Sequence, residues 1–294
     1  MGKRVAILGG TGKMGRWFAR FFQTKGYEIT IASRSPERAT KAAEELGVRS
    51  ADSYIEAVKE VDMVIVSTPI ETTAETIREV KEKLTPGTIL FDIASVKGEI
   101  PKALSEAALL GAKVLSIHPL FGPGATTLKG KKVIVIPITK DAQLVKYVRG
   151  LFEEDGAETY LAASGEEHDR MVGITLSVTH FINIALAKML SSHDIQEVKR
   201  FAGTTFSLQL MLAEAVLTED PNLYYAIESN NPAFRDLLDG FLRAAHDLAA
   251  KIDDRNAFVD TFVKARESLS RDPEFASAYQ RFYKALESST TQRR

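Results

Sequence analysis

The chain has 294 residues, of which 45% are hydrophobic and 26% are charged, and its formal net charge is -1. This balance is that of an ordinary soluble globular protein, and the length favours about two domains. The net charge gives no electrostatic reason to expect a nucleic-acid or membrane partner, and the absence of cysteine excludes disulfides, thiolate metal sites and cysteine nucleophiles.

Targeting and membrane segments are not expected. No apolar run approaches the roughly 18 residues that span a bilayer. A glycine-rich turn stands where a signal peptide would have its cleavage site. We therefore expect a cytoplasmic protein. We also expect no further domain before the first strand, no appended regulatory domain, and a disordered tail over residues 288–294.

The chain begins with the pattern of a strand, a glycine-rich turn and a helix. Arg4–Leu8 is an apolar run, and residues 16–25 have helical periodicity. The turn between them reads G-x-G-x-x-G, whose glycines allow a tight turn, the approach of a pyrophosphate and close helix–strand packing. In this context the motif favours a dinucleotide site at the helix N-terminus over a glycine turn without a ligand. The predicted cofactor residues are Gly10, Thr11, Gly12, Lys13, Met14 and Gly15.

The end of the second predicted strand, residues 27–33, bears on the choice of dinucleotide. Sites that prefer NAD carry Asp or Glu there for the ribose 2′-hydroxyl, but this chain has Arg34 instead. A planar guanidinium suits a 2′-phosphate, so we favour NADP as the cofactor. In the alternative, Arg34 stacks on adenine or faces solvent and NAD is accepted. The predicted cofactor residues here are Ser33, Arg34, Ser35 and Arg38.

Strand and helix patterns alternate as far as residue 161. Predicted strands at 62–67, 88–94, 113–118, 132–136 and 158–161 are separated by helical or turn-forming stretches. This alternation predicts an α/β fold with a Rossmann-type, doubly wound, mostly parallel sheet. Thr68 and Pro69 close one of these strands and are predicted to lie near the nicotinamide half of the cofactor.

The pattern changes at Ser164, where a capping box opens a region of helical periodicity with almost no strand signal. We predict a dinucleotide-binding Rossmann domain over residues 1–162 and an all-α C-terminal domain over residues 163–294. The apolar helices at 171–190 and 204–217 favour the core of a homodimer over a well-packed monomeric bundle.

Three side chains with useful chemistry follow strand ends: Ser95, Lys97 and His118. Ligands of open α/β sheets bind outside the carboxyl ends of the strands, and a histidine there is suited to proton transfer. Two prolines and two glycines in residues 119–124 predict a loop of fixed shape. Each residue also has a plain alternative: a structural histidine, a helix N-cap at Ser95 and a surface lysine at Lys97.

The order of the motifs resembles that of prephenate dehydrogenases over nearly the whole chain. The motifs are the glycine loop, Asp92-x-x-Ser95-x-Lys97-Gly98, His118-Pro119-x-Phe121-Gly122-Pro123, Glu167-His168-Asp169-Arg170 and Thr179-His180-Phe181. The resemblance implies the oxidative decarboxylation of prephenate in tyrosine biosynthesis. Hydride leaves C4 for the nicotinamide of NADP or NAD, the 4-hydroxyl loses its proton, and carbon dioxide departs as the ring becomes aromatic. The product is 4-hydroxyphenylpyruvate.

The resemblance also implies residue roles. His118 takes the proton of the substrate hydroxyl, and Ser95 bonds that hydroxyl or fixes the ring of His118. His180 reaches the substrate from the helical domain, which thereby becomes the substrate and dimerisation domain. From their positions alone, and not from the resemblance, we assign Lys97 to a substrate carboxylate or a phosphate, with a surface lysine as the equal alternative, and His168 to the cap of its helix. No pair of histidines has metal-ligand spacing, so no metal is predicted.

One position departs from the family. Its usual carboxylate-binding arginine falls on Ser207, and spacing alone cannot choose a substitute among Arg200, Arg235 and Arg243. The choice between prephenate and its amino analogue arogenate therefore stays open. The other candidate functions are an NADP-dependent reductase of the same two-domain design and a non-catalytic dinucleotide sensor with a dimer interface.

Overall fold

The structure, a computed structural model, describes residues 3–291. The chain divides into two compact units. The first comprises the chain up to Gly173 together with Asn222–Ala233. The second comprises Ile174–Pro221 and the chain from Phe234 onward.

One eight-stranded sheet forms the centre of the first unit, with the strand order β3-β2-β1-β4-β5-β6-β7-β8. Neighbouring strands are parallel except β6 and β7, which pair antiparallel. The predicted doubly wound, mostly parallel sheet is thus confirmed. The strands are β1 (Arg4–Leu8), β2 (Glu28–Ala32), β3 (Arg49–Ser50), β4 (Met63–Val66), β5 (Ile89–Asp92), β6 (Lys113–Pro119), β7 (Lys132–Pro137) and β8 (Glu158–Leu161).

Helices join the strands of this sheet. Ser35 caps the second of these helices: its side chain accepts a hydrogen bond from the Arg38 amide, and Pro36 occupies the first turn. The helices are α1 (Lys13–Thr24), α2 (Pro36–Leu46), α3 (Tyr54–Ala57), α4 (Ile70–Val80), α5 (Ile100–Leu109), α6 (Ala142–Glu153) and α7 (Gly165–Val172).

Each face of the sheet has its own apolar core, because successive side chains of a strand point to opposite faces. On β1, Val5 and Ile7 belong to one core, whereas Ala6 and Leu8 belong to the other. The first core also holds Phe18, Phe22 and other rings, and full burial of each such ring contributes about 1.5–3 kcal/mol. Both faces are therefore covered, which leaves the ends of the strands for a site.

The second unit is helical, as predicted, and contains no strand among the residues that the structure describes. Within it, α8 and α10 pack together, and Gln209 donates a hydrogen bond to Asn183 across them. The tail predicted to be disordered is helical as far as Thr291, and residues 292–294 lie outside the described residues. The later helices are α8 (Thr179–Leu190), α9 (Ile195–Arg200), α10 (Thr204–Leu217), α11 (Pro221–Ser229), α12 (Phe234–Ala250), α13 (Arg255–Leu269) and α14 (Ala278–Thr291). Of these, α11 belongs to the first unit from Asn222 onward.

A continuous helical run, Gly165–Leu190, corrects the expectation that no apolar stretch of the chain approaches the length that spans a bilayer. It joins α7 and α8 through a π-helical segment, and a window of it has a mean hydropathy of 1.4. Among the described residues, it is the one helix long and apolar enough by length and composition to cross a membrane. Core helices of soluble proteins pass the same test, so these two properties assign no membrane to it. Met171, Ile174 and Met189 on this run keep about half of their surface exposed.

Candidate active site

The glycine loop lies between β1 and α1 and is shaped for an anion. A Cβ on Gly15 would lie 2.6 Å from the Gly9 carbonyl oxygen, so only glycine allows the helix to approach the loop this closely. Gly12 precedes the first turn of α1, where no acidic residue stands and no side chain among the described residues caps the helix. The positive end of the helix dipole suits a pyrophosphate, and the loop fits the predicted dinucleotide.

The predicted loop residues divide into two groups. Gly10 and Gly15 are buried and shape the turn, whereas Thr11, Gly12, Lys13 and Met14 have accessible surface. The loop also abuts the end of β4, because a Cβ on Gly9 would collide with the Ser67 carbonyl and lie 2.9 Å from the Thr68 amide nitrogen. Thr68 and Pro69 consequently lie beside the glycine loop.

The end of β2 borders a cavity of about 290 Å³. The exposed Arg34 lines it, as do three carboxylates. Ser33 and Ser35 are partly committed elsewhere, since the Ser33 hydroxyl donates to the Ser35 carbonyl and the Ser35 hydroxyl caps α2. Arg38 is exposed on α2. The cavity is lined by Ser33, Arg34, Asp52, Ser53, Tyr54, Thr72, Glu75, Thr76 and Glu79.

A buried chain of three side chains lies at the carboxyl end of β6. His118 Nδ1 is 2.9 Å from His168 Nε2, and His168 Nδ1 is 2.9 Å from Asp169 Oδ1. The three residues are at most 4% exposed. Ser164 caps α7, so the assignment of His168 to that cap is wrong: His168 contacts His118 instead.

Asp169 anchors this chain of residues. Its Oδ1 also accepts from the Lys97 amide at 2.8 Å, and its Oδ2 accepts from the Gly98 amide at 2.9 Å. Its backbone carbonyl accepts from the Asn231 side chain at 2.9 Å. These donors satisfy an ionised carboxylate and fix α7 against the segment that follows β5.

The hydrogen bonds determine the tautomers of both imidazoles. An ionised Asp169 can only accept, so His168 carries its hydrogen on Nδ1 and accepts at Nε2. His118 must then donate from Nδ1, which leaves the lone pair of Nε2 for a ligand. Burial lowers the pKa of His118 well below the ordinary imidazole value, and His168 and Lys97 lower it further. The neutral His118 is therefore a proton acceptor at neutral pH.

Lys97 does not face a ligand, which corrects its assignment to the substrate. Its side chain is fully buried, and Nζ donates to Asp92 Oδ2 at 2.8 Å, the Ala94 carbonyl at 2.8 Å and the Ile117 carbonyl at 2.7 Å. These acceptors use all three ammonium hydrogens, so none remains for a substrate. Ser95 is half-buried between these anchored residues.

The remaining predicted residues lie in the helical unit. His180 stands in the first turn of α8, where burial lowers its pKa. The Ser207 hydroxyl donates to the Gly203 carbonyl of its own helix. Among the described residues, no group of three or more histidines, aspartates or glutamates is arranged to hold a metal ion.

Sequence reasoning missed Asp169 and Asn231 and misjudged His168. The available signal was the run Glu167-His168-Asp169-Arg170, which places two buried polar residues near the start of a helix. Such residues are rarely buried without partners, but the sequence does not identify those partners.

Comparison with known proteins gives a consistent result over both halves of the chain. The family described as "Prephenate dehydrogenase, nucleotide-binding domain" matches residues 18–161. The family described as "Prephenate dehydrogenase, dimerization domain" matches residues 164–265.

Two curated relatives align with most of this chain. The "Probable arogenate/prephenate dehydrogenase" of Methanocaldococcus jannaschii is 32% identical over 94% of this chain and 63% of the relative. The "T-protein" of Haemophilus influenzae is 30% identical over 90% of this chain and 66% of the relative. The chain thus spans less than two thirds of the length of these relatives.

Solved structures share the fold. The prephenate dehydrogenase of A. aeolicus, in complex with hydroxyphenyl propionate and NAD+, matches with a TM-score of 0.73 at 23% identity, over 92% of this chain and 98% of that one. Synechocystis arogenate dehydrogenase matches with a TM-score of 0.70 at 18% identity, over 91% and 99% of the two chains.

Proposed function

Because this chain belongs to the prephenate dehydrogenase family, we propose that it catalyses the NAD(P)-dependent oxidative decarboxylation of prephenate, or of its amino analogue arogenate, in tyrosine biosynthesis. The observation that carries the proposal is the buried chain Asp169–His168–His118, which leaves Nε2 of His118 as a proton acceptor. A non-catalytic dinucleotide sensor has no use for such a base.

The chemistry requires one proton acceptor and accurate orientation. His118 Nε2 takes the proton of the 4-hydroxyl, and His168 and Asp169 stabilise the imidazolium that results. Ser95 bonds the same hydroxyl from the neighbouring strand end. A bound nicotinamide dinucleotide supplies the acceptor for the C4 hydride. Loss of the ring carboxylate as carbon dioxide leaves its electron pair in a ring that becomes aromatic, so the protein needs no electron sink of its own.

The test is an assay that follows the absorbance of reduced nicotinamide. Prephenate and arogenate are each supplied with NADP and with NAD, and samples without enzyme give the spontaneous rate. We expect reduced cofactor to form with at least one pairing, together with carbon dioxide. The absence of reduced cofactor in every combination would remove the proposal.

The glycine loop and the match to the family's nucleotide-binding domain support NAD(P) as the cofactor, and we propose NADP as the preferred form. Arg34→Ala should raise KM for NADP by about 10- to 100-fold and leave KM for NAD within about twofold, because a charge-assisted bond to the 2′-phosphate contributes roughly 1.5–3 kcal/mol. Lys41→Ala, an exposed cation on α2, is the matched control. An unchanged ratio of the two KM values would contradict NADP preference.

We also propose a homodimer formed through the helical unit. Its apolar side chains remain exposed in one chain, among them Leu212 at 49% and Leu217 at 58%. Exposed apolar surface of this kind indicates a protein–protein interface, and the matched family domain is described as a dimerization domain. Leu212→Glu should shift the mass in solution from that of two chains to that of one, as measured by analytical ultracentrifugation. Leu109→Glu, at a leucine 87% exposed in the first unit, should leave the dimer intact.

A further inference from the structure

The buried ammonium of Lys97 needs an explanation beyond stability. Lysine is almost never fully buried unless it is paired, and desolvating an ammonium is costly. An apolar side chain of similar size would fill the same space without that cost. Burial lowers the pKa of Lys97, but Asp92 and Asp169 oppose that effect, and the three acceptors around Nζ require three hydrogens, so the group is charged.

The acceptors flank the two residues proposed to bind the reacting hydroxyl. Ala94, whose carbonyl accepts from Nζ at 2.8 Å, immediately precedes Ser95. Ile117, whose carbonyl accepts at 2.7 Å, immediately precedes His118. The ammonium therefore bridges the carboxyl ends of β5 and β6 at the points where these two side chains emerge.

The backbone of Lys97 makes a third connection. Its amide donates to Asp169 Oδ1 at 2.8 Å, the oxygen that also accepts from His168. One residue thus links Ser95, His118 and the anchor of His168. Lys97 contacts these three segments through both its backbone amide and its side-chain ammonium.

The charge of Lys97 acts on His118 as well. The groups that face His118 are His168 and Asp169 from α7, and Lys97 with its counter-ion Asp92 from β5 and the segment after it. The paired strand β7 presents only apolar side chains over Val133–Ile136. Burial is the main cause of the lowered pKa of His118, and Lys97, the one full positive charge of this set, lowers that pKa further because it opposes a proton on the ring.

We propose that Lys97 is a positioning residue for proton transfer: it holds Ser95 and His118 at a fixed spacing and keeps His118 in its neutral, accepting form. This inference rests on the proposed function for its kinetic consequence. Its electrostatic consequence belongs to the folded protein and can be measured without substrate.

The test uses Lys97→Met in the full-length protein. We expect kcat to fall by about 10- to 100-fold, because small misplacements of reacting groups have effects of this size. We also expect the acidic limb of the kcat/KM profile to move to higher pH: loss of the cation makes His118 easier to protonate, so the base form is lost earlier as the pH falls. Dinucleotide affinity, measured by calorimetry, should stay within about twofold.

Thr88→Val is the matched control. The Thr88 hydroxyl donates to the Val61 carbonyl beside the other end of β5, so its loss weakens the same strand away from the site. This variant should lower the melting temperature without moving the acidic limb. If Lys97 had only a structural role, Lys97→Met would likewise lower the melting temperature without moving the acidic limb. An acidic limb of the kcat/KM profile of Lys97→Met that coincides with that of the wild type would therefore overturn the proposal.

A titration of the imidazole resonances by NMR separates this inference from the proposed function. The chain has five histidines, and the resonance missing from His118→Asn identifies His118. In wild type it should titrate below an ordinary imidazole, and in Lys97→Met, or in Lys97→Gln if the first variant does not fold, at higher pH than in wild type. A wild-type His118 that titrates in the ordinary range would overturn the inference even if neither variant folds. If no substrate gave reduced cofactor but the titration of His118 still moved to higher pH in the Lys97 variant, the proposed function would be refuted and this inference would stand.

Discussion

His118→Asn is expected to lower kcat by about 10²- to 10⁴-fold, the range typical of a lost general base. Asparagine can still form a hydrogen bond, but it cannot accept the hydroxyl proton at neutral pH. The residue lies on β6, and the cofactor loop lies between β1 and α1, so dinucleotide affinity should change by less than about twofold. Steady-state kinetics and calorimetric titration measure the two quantities.

His193→Asn is the control for this substitution. His193 is exposed in the helical unit, and its replacement should leave kcat unchanged. If His118→Asn retained the wild-type kcat, His118 would be a structural residue and the proposed base would be wrong. If both kcat and dinucleotide binding were lost, the substitution would have disturbed the sheet and not only the proton acceptor, since His118 is 4% exposed.

The part of the site that depends on local sequence could be predicted. The glycine loop follows from residue type and spacing, because only glycine allows the approach of Gly15 to Gly9. The placement of Ser95 and His118 follows from topology. Ser95 follows the apolar strand β5, and His118 lies near the carboxyl end of β6. The structure pairs β5 with β6, so these two ends are neighbours.

The part that depends on contacts distant in sequence could not be predicted. His118 and His168 are 50 residues apart, and Asp169 meets the Lys97 amide across 72 residues. These contacts arise when α7 packs against the segment after β5, and no local pattern encodes them. The burial of Lys97 was missed for the same reason: its acceptors are an aspartate five residues away and two carbonyls, which any sequence offers. The two residues of β3 and the four of α3 are too short for a periodic signal.

Asp169→Asn is expected to lower kcat by about 10²- to 10⁴-fold although Asp169 does not touch the substrate, as in triads whose carboxylate is replaced by an amide. Asp169 accepts from three N–H groups: His168 Nδ1, the Lys97 amide and the Gly98 amide. An asparagine has one oxygen and one NH2 group. If its NH2 group faces His168, the hydrogen of His168 moves to Nε2, and that nitrogen then donates to His118.

The consequence for His118 is a change of tautomer. A donor at His168 Nε2 makes His118 accept at Nδ1, so its hydrogen moves to Nε2 and the lone pair facing the ligand is lost. In the other orientation of the amide, NH2 meets the Gly98 N–H, and the segment after β5 must shift.

Asp141→Asn is the control, because Asp141 caps α6 in the same unit and asparagine is an equally good cap. It should leave kcat unchanged.

The double variant His118→Asn with Asp169→Asn distinguishes a connected proton acceptor from two independent effects. If Asp169 acts through the tautomer of His118, its replacement has nothing further to remove once His118 is gone. The double variant should then be no slower than His118→Asn by more than about threefold, since residues that act as a unit are strongly non-additive. Multiplied losses in the double variant would mean that Asp169 contributes through the backbone of residues 97–98 and not through the histidine chain. The tautomer assignment for His118 would then have to be abandoned.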